Sequence, residues 1–411
     1  MSKNLTVKFL GMALGYFIVA TIIGTLMLAG ILSPTQMLKA AHAHLALLGW
    51  VSSTLMGVMY QQVPTLTSAN LYSKRIGEAS FLLFNSGVIS QFLVFIFLGY
   101  STALIFTSAL VLSGMSLFSF NILYTLRNKK ADSPVLKFYG TSVIYFVSAG
   151  IFGLAIAIDK TLFNFGGLII PAHTHLAVLG WVSLAIMGAM SWMFPMVLMR
   201  DLKSPRLLDS IFWFFNIGAV GFFIGLLTGG FGIVTKFSAL IIGVSVILFA
   251  YLLLGTATRK VKMQFTPKST EGKFFTAGIA YFILAVSLGM LMLFGMGGAV
   301  SGIKILHVHM ALVGFVSVTI FGGMYHIIPM ICWTRVVGKM AGGRGPMPSS
   351  FKDLYSDRLA TIIFVLLNIG IIGFFMGFAL GIRPLAIASA ISINSAGVIF
   401  AFDMLRIIIK S

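Results

Sequence analysis

Twelve long apolar runs account for most of this chain. Each is about 20 residues long, which is the length an α-helix needs to cross the hydrocarbon core of a membrane. Of the 411 residues, 59% are hydrophobic and only 9% are charged, so water is a poor solvent for most of the chain. We therefore predict an all-α polytopic membrane protein with a single membrane domain over residues 1-411. The runs lie at residues 9-31, 41-64, 79-100, 103-126, 138-159, 173-196, 208-229, 237-256, 273-296, 306-330, 359-381 and 384-405.

The placement of the basic residues explains the net charge of +19. If the N-terminus is cytoplasmic, all but five of the 28 Lys and Arg residues fall in cytoplasmic segments, as the positive-inside rule expects. This pattern predicts a multi-pass protein of the cytoplasmic (inner) membrane with both termini cytoplasmic, and it argues against a nucleic-acid partner. The five outer basic residues are Lys39, Lys160, Lys236, Lys304 and Arg383.

Three of the apolar runs begin with the same histidine motif. The copies are "HAHLALLGW" from His42, "HTHLAVLGW" from His173 and "HVHMALVGF" from His307, and each lies four spans after the last. A motif that recurs at a nearly fixed period indicates one structural unit used several times. We predict internal repeats at approximately 1-135, 136-270 and 271-411, with the twelve transmembrane helices in three pseudo-threefold arcs of four. All six histidines then share one layer near the outer face.

The spacing of each histidine pair limits what it can bind. Successive residues of an α-helix turn by about 100°, so residues two apart point in nearly opposite directions and cannot clamp one ion. With three such helices around an axis, each groove between neighbours receives one imidazole from each wall. That geometry suits a planar haem with an axial ligand on each face. An intramembrane histidine is a functional hypothesis by default, although duplication of a hydrogen-bonded structural histidine would leave the same pattern.

Other notable residues have plainer interpretations. Glycine and alanine near the motifs are typical of close helix packing in membranes. Trp50 and Trp181 fit a packed core as well as a cofactor pocket, and His326 is expected at the interface at the inner end. Cys332 is the single cysteine, which excludes an internal disulfide and covalent haem attachment through a CxxCH motif.

The segment "HVHMALVGFVSVTIFGGMYHIIP", from His307 to Pro329, resembles the tenth helix of subunit I of the haem-copper oxidases. The likeness is greatest to the C-type cytochrome oxidases and the nitric oxide reductases, in which His-x-His supplies one ligand to each of two haems. It extends to twelve spans in three arcs and to a histidine on the second helix. The resemblance implies a cytochrome c oxidase subunit I-like protein that binds haem b and takes part in respiratory electron transport.

The resemblance also implies roles for individual residues. His307 matches the axial ligand of the high-spin haem, while His309 and His42 match the two ligands of the low-spin haem. His175 falls where the family has its first copper ligand. Arg383 resembles the arginines that pair with haem propionates.

The chain departs from the family pattern at the copper site. The family completes that site with adjacent histidines on the seventh helix, where "SIFWFFNIGAVGFFIGLL" has none, and the associated tyrosine also has no counterpart. We therefore expect copper to be absent or its site incomplete. His44 and His173 are additional to the family's ligands, so we expect two haems with room for a third.

Three functions follow from these patterns. The first is electron transfer from a quinol or a cytochrome to oxygen or nitric oxide at a haem, which would make the protein an oxidoreductase. The second is a non-catalytic haem protein that senses or buffers nitric oxide, and the third is a metal or solute transporter lined by histidines. The sequence leaves open the gas, the electron donor, the partner subunits, the oligomeric state and whether the protein is an enzyme. It also leaves open the roles of His44, His173 and His326.

Overall fold

The computed structural model describes residues 3–166, 169–259, 270–296, 298, 302–340 and 350–410, and these residues form helices and connecting turns without a strand. Twelve helices are long and apolar enough to cross a membrane, which confirms the predicted fold class. They are α1 (Asn4–Ala29), α2 (Gln36–Thr67), α3 (Lys74–Phe97), α4 (Thr102–Arg127), α5 (Leu136–Phe163), α6 (Ile170–Val197), α7 (Pro205–Gly229), α8 (Ile233–Ala257), α9 (Thr270–Leu293), α10 (Ile303–Val337), α11 (Asp357–Ala379) and α12 (Arg383–Ile409).

Most of these helices are longer than the apolar runs that predict them. α2 begins at Gln36, before the run at 41-64, and α10 continues to Val337, beyond the run at 306-330. Backbone hydrogen bonding continues through polar residues at the membrane surfaces, whereas hydropathy detects only the segment that lies in hydrocarbon.

The spans form an inner set of three helices and an outer ring of nine. α2 and α6 are 72% buried over their apolar windows and α10 is 61% buried, against at most 56% for any other span. Each inner helix packs on the span before it in sequence, and the hairpins α3–α4, α7–α8 and α11–α12 lie between. Contacts of α4 with α5, α8 with α9 and α12 with α1 close the ring. The same packing pattern therefore occurs three times, with α2, α6 and α10 in the centre.

Two tryptophans join the inner helices to one another. Trp50 Nε1 donates to Ser317 Oγ at 2.9 Å, and Trp181 Nε1 donates to Ser52 Oγ at 2.9 Å. Both indole rings are buried. The third repeat has Phe315 at the equivalent position, which carries no donor. Two of the three junctions between inner helices thus contain a side-chain hydrogen bond.

We expect Trp50→Phe and Trp181→Phe each to lower the free energy of unfolding by about 0.5–1.5 kcal/mol, the net contribution of one hydrogen bond. The loss should be this small because Phe315 shows that a phenyl ring fits the equivalent position. Thermal unfolding in detergent measures the effect. Trp213, which is 62% exposed on α7, supplies the control Trp213→Phe, and an equal loss in that variant would contradict the assignment.

Candidate functional site

Each histidine pair is followed at once by a π-helical segment. These segments are Leu45–Ser52 in α2, Leu176–Ser183 in α6 and Met310–Ser317 in α10. A wide π turn inside an α-helix is rare and is frequently found at functional sites. The wider turns change the direction of the helix face between the histidines and the proline at the other end. The direction in which each imidazole points, relative to the rest of its helix, therefore depends on the π segment as well as on the position of the histidine in the sequence.

The first histidine of each pair is held by the preceding span. Its Nδ1 lies 2.9 Å from a backbone carbonyl oxygen in all three repeats: His42 from Ala20, His173 from Ala149 and His307 from Ala285. A carbonyl oxygen only accepts hydrogen bonds, so Nδ1 carries the ring proton. Nε2 is therefore the nitrogen with a free lone pair.

The second histidine of each pair bonds within its own helix. Its Nδ1 donates to the carbonyl oxygen four residues earlier: His44 to Ala40 at 2.8 Å, His175 to Pro171 at 2.9 Å and His309 to Ile305 at 2.8 Å. Within the described part of the chain, none of the six Nε2 atoms makes a hydrogen bond. A proton fixed on Nδ1 by a backbone carbonyl is the usual arrangement of a metal-ligating histidine.

The six imidazoles come together as three pairs, one in each groove between inner helices. The first groove, between α2 and α6, contains His44 and His173, whose ring centroids are 6.4 Å apart with an interplanar angle of 19°. In the other two grooves the paired rings lie close enough to interact electrostatically. The second groove, between α6 and α10, contains His175 and His307, and the third groove, between α10 and α2, contains His309 and His42.

A glycine makes room for the first histidine of each pair. The glycine lies four residues after the alanine that binds Nδ1, and a Cβ atom on it would lie within about 3 Å of the imidazole. The separations from the histidine Cε1 atom would be 2.9 Å at Gly24 for His42, 3.1 Å at Gly153 for His173 and 2.8 Å at Gly289 for His307. Any larger side chain there must displace the ring.

A tyrosine and an asparagine support the same layer from the outer ring. The tyrosine hydroxyl donates to the asparagine Oδ1: Tyr16 to Asn85 at 3.1 Å, Tyr145 to Asn216 at 3.0 Å and Tyr281 to Asn368 at 2.9 Å. The sequence analysis did not single out these residues, yet a signal exists. "YFIVATIIG", "YFVSAGIFG" and "YFILAVSLG" carry the tyrosine, the alanine and the glycine at equal spacing on α1, α5 and α9.

Arg383 lies at the histidine end of the bundle, where α2, α6 and α10 begin. Its Nε and Nη2 atoms donate to the Leu28 carbonyl oxygen at 3.3 and 3.2 Å, and Nη2 lies over Gly30. Gly30 has φ of +77°, a conformation that glycine adopts without strain. This contact fixes the guanidinium between α12 and the end of α1, and α1 also holds His42.

His326 lies at the opposite end and takes no part in the three pairs. It is only 8% exposed, so neighbouring side chains cover it, and its ring packs against Phe351 at 5.1 Å. It also interacts electrostatically with the buried Glu271, which accepts a hydrogen bond from the Tyr355 hydroxyl at 3.2 Å. Burial, followed by the nearby Glu271 charge, raises the pKa of Tyr355 above its usual range. The short helical turn Phe351–Leu354 covers this region, which hydropathy alone does not indicate.

A second buried carboxylate lies at the same end. Asp403 is fully buried and accepts hydrogen bonds from the Tyr325 hydroxyl at 3.3 Å and from Arg406 Nη2 at 2.8 Å. Asp403 lies near the end of α12, which runs to Ile409. Its burial depends on the packing of α12 against α10, which the sequence does not show.

The donor set fits a haem better than a bare ion. Among the described residues, no group of three or more His, Cys, Asp or Glu side chains is close enough to hold a metal. A bare ion in any one groove would thus have only two protein ligands. A haem brings four nitrogen ligands of its own and leaves two axial positions, which two facing imidazoles can fill.

Two comparisons with known proteins found similar sequences. The family model described as "Cytochrome C and Quinol oxidase polypeptide I" matches residues 101–236, a segment that includes His173 and His175. A protein of Aquifex aeolicus (strain VF5), described as "Uncharacterized protein", is 26% identical over 288 residues, which are 69% of this chain and 70% of that protein. The chain is thus similar over residues 101–236 to subunit I of the cytochrome c and quinol oxidases, and its twelve long apolar helices support a multi-pass membrane protein. The matched segment contains α4 to α7, whereas the motif that most resembles the family lies in α10.

Proposed function

We propose that this protein binds b-type haem between paired histidines and carries electrons within the membrane. One observation carries the proposal: each groove contains two imidazoles from different helices, and every one has its Nδ1 proton bonded and its Nε2 free. The bound haem would supply one-electron chemistry. The chain would supply both axial nitrogens and would hold each ring through backbone carbonyl oxygens.

The pairing in the second groove favours electron transfer over gas reduction. A haem that reduces oxygen or nitric oxide needs an iron face without a protein ligand, next to the incoming gas. His307 and His175 lie close enough to interact electrostatically in this groove, and together they would fill both faces. We therefore propose neither copper chemistry nor reduction of a gas at this haem. The electron donor is proposed to be a quinol or a cytochrome.

The proposed orientation puts both termini in the cytoplasm and the histidine layer near the outer face of the cytoplasmic membrane. It is supported by the five basic residues at the histidine end, against the larger number at the other end. A reporter fused after Ser411 should read as cytoplasmic. A periplasmic signal would instead place the layer of six histidines near the cytoplasmic face of the membrane.

An absorption spectrum of the purified protein tests the proposed function. We expect a Soret band and, after reduction with dithionite, the sharp visible bands of six-coordinate haem b. A metal or solute transporter would show neither. Val308→Ala is a matched control, because Val308 lies between His307 and His309 but is 45% exposed. Its spectrum should equal that of the natural protein.

The glycine beside each first histidine gives a steric test of the same proposal. In Gly24→Val, the added side chain would meet the His42 ring, whose Cε1 already lies 2.9 Å from the position of Cβ. We expect the haem of the third groove to be lost or to become high-spin, while the other haem signals remain. Gly15→Val on the same helix is the control, since no atom lies within 4 Å of its Cβ position. Equal haem loss in both variants would mean that any larger side chain on α1 causes haem loss, and that displacement of the His42 ring is not the reason.

A further inference from the structure

We propose that the first groove holds a third haem, with His44 and His173 as its axial ligands. The inference rests on the proposed function, because it assigns the same chemistry to one more groove. It also goes beyond the family resemblance, which gives no ligand role to either residue. Ring geometry, a cavity and a lysine carry it.

The spacing of the two rings matches ligation of one iron from both sides. Metal–imidazole bonds are about 2.0–2.1 Å long, so two rings on opposite faces of one ion have centroids about 6 Å apart. The rings of His44 and His173 are 6.4 Å apart and nearly parallel. Their Nδ1 atoms are bonded to Ala40 and Ala149, which leaves both Nε2 atoms available.

The space around the two rings is large enough for a prosthetic group. A cavity of ≈ 390 Å³ lies in the first groove, within the range of about 300–1,000 Å³ that is usual for ligand pockets. Helices α2 to α6 all contribute to its walls. Phe95 packs on His44 at 5.0 Å, and Trp181 stacks on Phe146 at 4.2 Å where both line the cavity.

The first groove has a polar residue where the other two have an aromatic ring. Phe222 on α7 and Phe374 on α11 each pack on the second histidine of their groove at 4.9 Å, and each lies at the same distance in sequence after the asparagine of its helix. On α3 the equivalent position after Asn85 is Gln91. The first groove therefore differs from the other two at this position, although His44 also has an aromatic neighbour, Phe95 at 5.0 Å.

Gln91 is only 6% exposed, lines the cavity and donates to Ser108 Oγ at 2.9 Å. Its Oε1 atom is buried without a hydrogen-bond partner. An unpaired acceptor needs a donor, and ionised propionates only accept hydrogen bonds. Gln91 therefore makes this wall of the first groove polar but is not assigned as a contact of the proposed haem.

The charge at the mouth of the cavity suits an anionic edge. Lys39 lines the cavity near Tyr100, whose hydroxyl accepts a hydrogen bond from Gln36 at 3.3 Å. None of the residues that line the cavity is acidic, and Lys39 makes no ion pair within the described part of the chain. The haem propionates would thus meet one unpaired cation at this mouth. A free divalent cation would meet a lysine and only two imidazoles.

The number of haems per chain tests the inference. We measure haem by the pyridine haemochrome method and iron, copper and zinc by elemental analysis, on the full chain purified from membranes. The expected ratio is three haems per chain. His44→Ala and His173→Ala should each reduce it to two, and the double variant should also give two because both residues serve one haem. The low-spin signal assigned to His42 and His309 should remain in all three variants.

A fourth variant guards against misfolding as the cause of haem loss. In His44→Gly, added imidazole should restore the third haem, which a structural role for His44 would not permit. Ser113→Ala on the exposed face of α4 is the matched control and should keep three haems. Two haems in the natural protein, unchanged in His44→Ala, would overturn the third site but leave the proposed function intact. A protein without haem would overturn both, and zinc or copper in the first groove without a third haem would overturn the inference alone.

Discussion

Replacing His42 or His309 by alanine should remove the same low-spin haem signal, and replacing His307 should leave that signal in place. His42 and His309 lie close enough to interact electrostatically in the third groove, as His307 and His175 do in the second, and we expect each pair to hold one haem. Loss of one imidazole leaves iron five-coordinate and high-spin, or releases the haem. We expect the loss of one full haem equivalent of low-spin signal in either variant and in the double variant.

Electron paramagnetic resonance of the oxidised protein measures this change, with Val308→Ala as the unchanged control. Because the three haems would have similar spectra, the pairing is read from double variants: His42→Ala with His309→Ala should lose one low-spin haem equivalent, whereas His42→Ala with His307→Ala should lose two. A variant of His44 that removes the signal, while His42→Ala keeps it, would contradict the pairing. The first histidine of α2 would then not belong to the third groove.

Carbon monoxide binding at the second groove should appear only when His175 or His307 is removed. In the natural protein we expect reduced haem to bind almost no carbon monoxide, because His175 and His307 would fill both faces of the iron. In His175→Ala or His307→Ala, one face becomes open. We then expect up to one carbon monoxide per chain, seen as a shift of the Soret band.

Carbon monoxide binding to the natural protein, before any substitution, decides this prediction. Binding of one carbon monoxide per chain before any substitution would show an open iron face. The electron-transfer proposal would then be wrong for the second groove, and reduction or sensing of a gas would be favoured. Thr174→Ala tests whether changes near His175 act nonspecifically, since Thr174 is exposed and bonds only to Ile170 within its own helix.

The twelve spans could be predicted from the sequence because a single physical quantity, hydropathy over about 20 residues, determines them. The repeated motif further predicted that each histidine pair divides its two imidazoles between neighbouring grooves, and the structure has that arrangement for His44 with His173. Which histidine carries out which function remains a proposal.

Other features depend on contacts that a linear reading does not contain. The π segments after His44, His175 and His309 arise from sequences that fit an α-helix equally well. The hydrogen bond from His42 to Ala20 requires that α1 lie against α2 at a particular depth. Repeated spacing does identify the tyrosine, alanine and glycine of α1, α5 and α9, but only after the three spans are aligned with one another.

The opposite end of the bundle shows a different limit. Glu271 lies at the start of α9 and Asp403 near the end of α12, positions at which a carboxylate is usually exposed to water or headgroups. Both are buried, and each accepts a hydrogen bond from a tyrosine hydroxyl elsewhere in the chain: Glu271 from Tyr355 and Asp403 from Tyr325. Position along a helix gives depth in the membrane but does not give burial between helices.

Near-infrared magnetic circular dichroism of the oxidised, purified protein tests the central claim most directly, because this spectrum identifies the two axial ligands of a low-spin ferric haem. We predict that every haem shows the bands of two imidazole ligands, and that no high-spin haem is present. A histidine–water or single-histidine signature on any haem would contradict the claim that facing histidines fill both axial positions in each groove.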